Sequence, residues 1–490
     1  MGLANHELPP PPEGKYPAKD HARKVAHFIR DDAKNGEGVI YLEAQKTHMV
    51  EDDDQAQHFR QRRFFYYLSG CSLPDSYVCY DMKKDHLTLF IPAVDPEDVI
   101  WSGMPLTPKE AMEKYDIDDC QTSDKVNSYL ASPETSHSTV YAIPKQIADH
   151  ITFLSFENKN LDTLRSAIET CRVVKDDFEV GLIRHANAIT SHAHTEVMKM
   201  VKEARNEREL MGTFIGACIS NGGREQAYGC ICASGTNAAT LHYVHNDLSL
   251  SNKYNLLIDA GCEYECYCSD VTRTYPLRGS FTKESKQIYD IVDEMQTQCM
   301  SMLKAGVRWE DVHARAHEVA IDGLRRLGIL KGSDKKEIFD SRVSTIFFPH
   351  GLGHYLGMDT HDCGGNANYE DPDPMFKYLR VRGRLPAGSV VTNEPGIYFC
   401  RFIIEPALKD EKYAKYIDKT VLDKYWDVGG VRIEDDIWIK EDGYENLTTA
   451  PRTWEEVEAL INGWERDVSA EESLGRRLAE SVLQGMNLKF

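Results

Sequence analysis

Two periodicities divide the chain. Between residues 39 and 91, short β-branched and aromatic runs stand apart from one another: Val39-Ile40-Tyr41-Leu42, Tyr77-Val78-Cys79-Tyr80 and Leu87-Thr88-Leu89-Phe90-Ile91. Pro, Asp and Lys turn residues separate them, so they predict strands. Helical stretches over 21–33 and 108–115 alternate with these strands, and the first third reads as an α/β domain ending before about residue 172. From Lys175 the period lengthens: Ile183, Ala186, Ile189, Ala193, Val197 and Met200 recur every three or four residues and predict one long amphipathic helix. A second is expected over 283–304, with Ile288, Ile291, Met295, Cys299 and Met302 on one face and Gly306 as its stop.

The strand-like segments around these helices carry the unusual residues. Leu256-Leu257-Ile258 runs straight into Asp259, and Asp270 precedes Val271-Thr272-Arg273. A carboxylate among aliphatics is costly to bury unless paired or metal-bound, although a turn or cap accounts for Asp259 equally well. Glu394 follows Val390-Val391-Thr392-Asn393 and precedes Pro395, where a turn acid is the plain alternative. Glu434 follows Val431-Arg432-Ile433 and opens an acidic run that could be a solvated face. His350, His354 and His361 fall within twelve residues. The glycines between them argue against a regular helix, and the cluster favours ligands or acid/base groups over hydrogen-bonded core histidines. Taken together, Asp259, Asp270, Glu394, Glu434 and one histidine suit two adjacent hard divalent cations, with a shared water as nucleophile.

Composition narrows the setting. The 490 residues imply about two domains. With 41% hydrophobic and 28% charged residues, and no apolar run of membrane-spanning length, they describe a globular protein without a membrane span. Lys plus Arg number 57 against 78 acidic residues, and the formal charge of −21 excludes nucleic acid and anionic lipid as natural partners. The polar N-terminus with Pro9 to Pro12 predicts an extended arm over 1–16 rather than a secretory signal, and His6 breaks a myristoylation motif. Thirteen cysteines, an odd number, fit reduced thiols and a cytoplasmic location. Cys262, Cys266 and Cys268 alternate with Tyr264 and Tyr267 as strand side chains do, so a zinc cluster with Cys230 and Cys232 is set aside.

The order Asp, Asp-x-Thr-Arg, His-Gly-x-Gly-His, Glu-Pro-Gly and Arg-Ile-Glu resembles the pita-bread metallopeptidases, the group of methionine aminopeptidase, aminopeptidase P and prolidase. The segments 349–357, 360–362, 241–243 and 430–434 resemble its proline-specific branch. Tyr16-Pro17-Ala18-Lys19, the 41–46 segment and the 380–386 segment resemble fungal Xaa-Pro aminopeptidases. The resemblance implies an α/β creatinase-like domain over 17–171, a pita-bread catalytic domain over 172–455 and a helical tail over 456–490, with a helix expected over 471–484.

It also implies the roles. Asp259 would hold one metal, Asp270 and Glu434 would bridge both, and His354 with Glu394 would complete the other, with manganese expected and cobalt possible. His361 would stabilise charge on the scissile carbonyl oxygen, His350 and His242 would position substrate, and Glu394 would also shuttle a proton. Arg380 would meet a substrate carboxylate and Tyr228 would line the pocket. The expected reaction is removal of the N-terminal residue from peptides with proline second. Alternatives are a dipeptidase, an inactive binding protein of the same fold and a hydrolase of creatine-like amides. A homodimer is a family expectation. Cys262 and Asn393 depart from the usual residues beside the ligands and are read as tuning rather than abolishing activity.

Overall fold

The computed structural model describes residues 8–32, 36–148, 151 and 158–463. In the first third, strands β1 (Gly38–Glu43), β2 (Tyr77–Asp81), β3 (His86–Ile91), β4 (Asp119–Thr122), β5 (Thr139–Tyr141) and β6 (Asn158–Asn160) form one sheet ordered β4-β3-β2-β1-β5-β6. The β1–β2 and β2–β3 pairs are antiparallel and the other three parallel. The three predicted strands are the central three. Helices Ala18–Asp32 and Thr163–Val173 pack on each other beside this sheet.

The expected long helix is Asp177–Met200, and its start is chemically marked. The Asp176 carboxylate accepts the Glu179 N–H while Glu179 accepts the Asp176 N–H, a reciprocal cap. The expected 283–304 helix is Lys283–Met300, capped by Thr282, and irregular chain carries it to Gly306 with φ +79°. Helix Trp309–Arg326 follows and packs against it.

Small antiparallel sheets lie between the helices. They comprise β7 (Glu225–Gln226), β8 (Ile231–Ser234), β9 (Asn255–Asp259), β10 (Cys262–Tyr264), β11 (Tyr267–Cys268), β12 (Thr272–Pro276), β13 (Val390–Asn393), β14 (Gly396–Tyr398), β15 (Gly430–Arg432), β16 (Asp435–Lys440) and β17 (Gly443–Asn446). They join as β11-β10-β7, β12-β9-β8, β13-β16-β17 and β14-β15. The cysteine alternation belongs to the β10–β11 hairpin. Cys262 and Cys268 are fully buried there, and no cysteine joins a metal-ligating cluster among the described residues.

An apolar core spans the two domains. Tyr16, Ile40, Phe65 and Tyr67 share one buried cluster with Val180, Ile183, Tyr267 and Leu356. Polar ties cross the same boundary: Tyr16 and Tyr267 hydroxyls lie 2.9 Å apart, Arg63 reaches Glu263 at 2.5 Å, and His21 reaches Asp176 at 2.8 Å. The proline-rich arm lies along the long helix, where Pro9 C=O meets His185 Nδ1 at 2.8 Å. Helix Trp454–Asn462 spans the position expected to separate catalytic domain from tail, and it packs against the long helix. The helix expected over 471–484 and the first seven residues of the arm lie outside the described residues.

Candidate metal centre

Ladder ends build the site. Asp259 closes β9, where it pairs with Thr272, the first residue of β12, and Asp270 lies two residues before that partner. Asn393 pairs with Asp435 at the end of the β13–β16 ladder, while Gly396 pairs with Arg432 in β14–β15. Glu394 and Glu434 therefore occupy the same interruption on facing chains, and Pro395, which has no N–H to donate, falls inside it. The histidine segment runs extended beside β13. Thr392 N–H reaches His354 C=O at 2.9 Å and Glu394 N–H reaches Leu352 C=O at 2.9 Å. A Cβ on Gly353 would sit 2.0 Å from the Thr392 carbonyl oxygen, so this approach requires glycine.

Asp270, His354 and Glu434 bring one ligand atom each to within 4.8 Å of one another. His354 Nε2 lies 3.4 Å from Asp270 and 3.5 Å from Glu394. Its Nδ1, 3.0 Å from the Tyr355 carbonyl, carries the proton, which leaves the Nε2 lone pair directed into the carboxylates. Tyr228 Oη lies 2.7 Å from Asp259 and 2.5 Å from Asp270. One phenolic proton serves one of these two oxygens, and the other is left facing a second negative group.

Arg432, buried, is the guanidinium in direct contact. It donates to Asp259 at 2.6 Å, to Thr272 Oγ1 at 3.0 Å and to Tyr398 Oη at 2.9 Å. Thr272 in turn donates to Glu434 at 2.5 Å. Four clustered carboxylates against one guanidinium leave the centre strongly negative. Burial first, then Asp259, pushes Asp270 well up; burial, then Asp270, does the same to Glu434. Glu394 is pushed up to about 7 by burial, against the pull of His354 and Arg432. This donor set, oxygen-rich with one imidazole and short of positive charge, fits divalent cations.

The carboxylates lie in the wall of an open cavity of about 320 Å³. His242, His350, His361 and Arg380 line it with them. His361, an exposed residue, stands edge-on to His354, ring centres 4.4 Å apart, and loss of water around the ring, then His354, lowers its pKa to about 3. His242 follows the 3-10 turn Gly235–Ala239 and is exposed. Arg380 donates to Tyr369 Oη at 3.1 Å.

The sequence profile of metallopeptidase family M24 matches residues 181–441, and that of the aminopeptidase P N-terminal domain matches 21–141. The chain belongs to metallopeptidase family M24. Its M24 relatives include a probable Xaa-Pro aminopeptidase of Phaeosphaeria nodorum, 60% identical over 92% of this chain and 97% of that one. Another, from Botryotinia fuckeliana, is 61% identical over 92% and 98%. Among solved structures, Pseudomonas aeruginosa aminopeptidase PepP superimposes with a TM-score of 0.76 at 28% identity, covering 92% of this chain and 99% of its own. A zinc-substituted Escherichia coli aminopeptidase P in complex with product has a TM-score of 0.76 at 28% identity, covering 93% and 100%. The chain is thus an M24 metallopeptidase with an aminopeptidase P-type N-terminal domain, and it binds divalent metal.

Two expected roles shift within this M24 centre. Tyr228, read above as a pocket residue, turns its hydroxyl to Asp259 and Asp270, so it orders the carboxylates. His350 has both nitrogens engaged, Nδ1 with Gly351 C=O and Nε2 with Tyr398 Oη, each at 2.8 Å. Neither ring nitrogen is without a protein partner. Arg432 and Tyr398 were missed. Arg432 had a signal, because residues two apart in an extended chain share a face and Glu434 is two residues on. Tyr398 had none.

Proposed function

We propose that the chain is an Xaa-Pro aminopeptidase, releasing the N-terminal residue from peptides with proline in second position. The observation that carries this is the convergence of Asp259, Asp270, His354, Glu394 and Glu434 in one cavity wall with His242, His350 and His361 beside them. The names of the fungal relatives support the choice of bond.

Two divalent ions held by those five residues would supply Lewis-acid polarisation of the scissile carbonyl and an activated water. Asp270 and Glu434 would be shared, Asp259 would serve one ion, and His354 with Glu394 would serve the other. Manganese is the metal we assign, with cobalt as the alternative for the same donors.

The chain's own groups do the rest. His361 donates a hydrogen bond to the oxygen where charge develops. Glu394 carries a proton from the attacking water to the departing ring nitrogen, which must leave as a secondary amine. His242 and the ring of His350 confine the pyrrolidine. None of these contacts needs the amide N–H that an Xaa-Pro bond lacks, so proline is recognised by shape. Thirteen unpaired thiols support a cytoplasmic location.

A dipeptidase reading has one observation in its favour: Arg380 lines the cavity, where it would meet a proline carboxylate. Ala-Pro and Ala-Pro-Ala, assayed with manganese, separate the two. Hydrolysis of the tripeptide at Ala-Pro is expected, and cleavage of the dipeptide alone would overturn the aminopeptidase reading. Elemental analysis of the purified protein tests the metal.

A further inference from the structure

His361 owes its position to its neighbours in the chain. No protein hydrogen bond reaches its ring among the described residues, and its closest ring contact is the edge of His354. The next residue is held tightly. The Asp362 side chain, 1% exposed, accepts from Arg172 Nη2 at 2.6 Å and from Lys175 Nζ at 2.8 Å, and the residue's N–H reaches Tyr355 C=O at 2.8 Å. The same Arg172 nitrogen donates to Asp359 at 2.7 Å.

The backbone before His361 is also tied. Gly357 C=O accepts the Cys268 N–H at 2.8 Å, and Thr360 Oγ1 donates to Ala227 C=O at 3.3 Å. A Cβ on Gly357 would fall 2.3 Å from Asp362 Oδ2 and 2.9 Å from Lys175 Cε, so the glycine keeps room for the ion pair.

Arg172 and Lys175 come from the short connection between the two domains. Arg172 is in the last turn of helix Thr163–Val173, and Lys175 precedes the cap of Asp177–Met200. Lys175 N–H is fixed on Gly388 C=O at 2.9 Å, and Arg172 lies over the Phe64 ring of the N-terminal domain, 5.6 Å from its centre. Burial alone would raise the Asp362 carboxyl; Lys175 and then Arg172 outweigh it and hold it ionised. Burying three ionised side chains is a poor way to gain stability, since apolar residues of similar volume usually serve as well. It is an effective way to fix a loop in one register.

We propose that Arg172 and Lys175, on the connection between the domains, are positioning residues for His361 and act through Asp362. The domain boundary and the substrate-facing imidazole then share one clamp. A displacement of about 1 Å in a group that must meet a reacting atom costs up to about 100-fold in rate, and a loop with one of its two cations removed can relax by that much. The inference rests on reading His361 as the group that meets the scissile carbonyl.

A double-mutant cycle with the full-length, metal-loaded protein tests it. Lys175→Met, His361→Ala and the combination are compared for kcat and KM on Ala-Pro-Ala, with bound metal and melting temperature recorded. Lys175→Met leaves Asp362 paired with Arg172. It is expected to lower kcat about 10- to 100-fold with KM and metal content nearly unchanged, and to change kcat less than about twofold once His361 is alanine. An equal loss in both backgrounds, or native kcat for Lys175→Met, would overturn the inference. Native kcat for His361→Ala would instead overturn the role given to His361. If Lys175→Met does not fold, Arg172→Lys, which keeps charge but not the guanidinium, is read through the same cycle.

Discussion

In the chelated protein Glu394 makes folding weaken as pH rises. Its carboxyl, 17% exposed, is pushed up to about 7 from an ordinary 4.5, with burial the largest cause. The unfolded chain therefore ionises first. Between those two values the folded state holds a proton that the unfolded state has released, so stability falls as pH rises and the loss is complete above the folded value. Each pH unit is worth about 1.4 kcal/mol. Lowering pH from about 8 to about 6 takes the group one unit below its folded pKa and returns about 1.4 kcal/mol of stability. Asp270 and Glu434 are displaced the same way and add to the trend. Urea unfolding with chelator across this range, on native protein and on Glu394→Gln, isolates the one group, since the glutamine variant should lack that increment. With saturating metal the carboxylate stays ionised, and the increment should vanish from the native protein too. Equal pH slopes for the chelated native protein and the chelated Glu394→Gln variant would refute the reasoning.

The domain boundary has its own pH signature: His21 places Nδ1 2.9 Å from Tyr67 C=O and Nε2 2.8 Å from Asp176, two acceptors that are satisfied together by an imidazolium. Burial lowers its pKa, but Glu179 and then Asp176 prevail and raise it, so its contribution is full below about 6.5 and lost as pH rises through the folded value; His21→Gln should cost about 1.5–3 kcal/mol in urea unfolding at acidic pH and less at alkaline pH. Arg273, fully buried, donates to Asp435 at 2.7 Å and to the Pro451 carbonyl at 2.7 Å. Arg273→Met removes the cation from that carboxylate, leaving it the Asn446 amide, and should cost about 3–5 kcal/mol of unfolding free energy, whereas pairing it with Asp435→Asn should recover part of the loss.

The contrast between Glu434 and Arg432 explains which parts of this protein could be read from its residues. A carboxylate ending an aliphatic run carries its anomaly in the local pattern, and so do histidines spaced by glycines; the five residues proposed to hold metal stood out for that reason. Arg432 shares a face with Glu434 two residues on, which is a local signal, but its actual partners are Asp259, 173 residues earlier in the chain, and Tyr398 on the neighbouring strand. Partners that remote leave no periodicity. Tyr228 shows the same limit from the other side, because its residue type suggested a pocket wall while its contacts belong to two carboxylates 31 and 42 residues away. In the first domain the three central strands announced themselves through β-branched runs. The edge strand Asn158–Asn160, polar throughout and only three residues long, is held by parallel pairing with β5 alone and had no pattern to show. Legibility therefore follows the range of the interaction that places a residue: short-range packing writes itself into spacing, and long-range charge pairing does not. The clamp of Arg172, Lys175 and Asp362 is of the second kind. A sequence preserves its parts as three ordinary charges, and the fold alone turns them into the support of one imidazole.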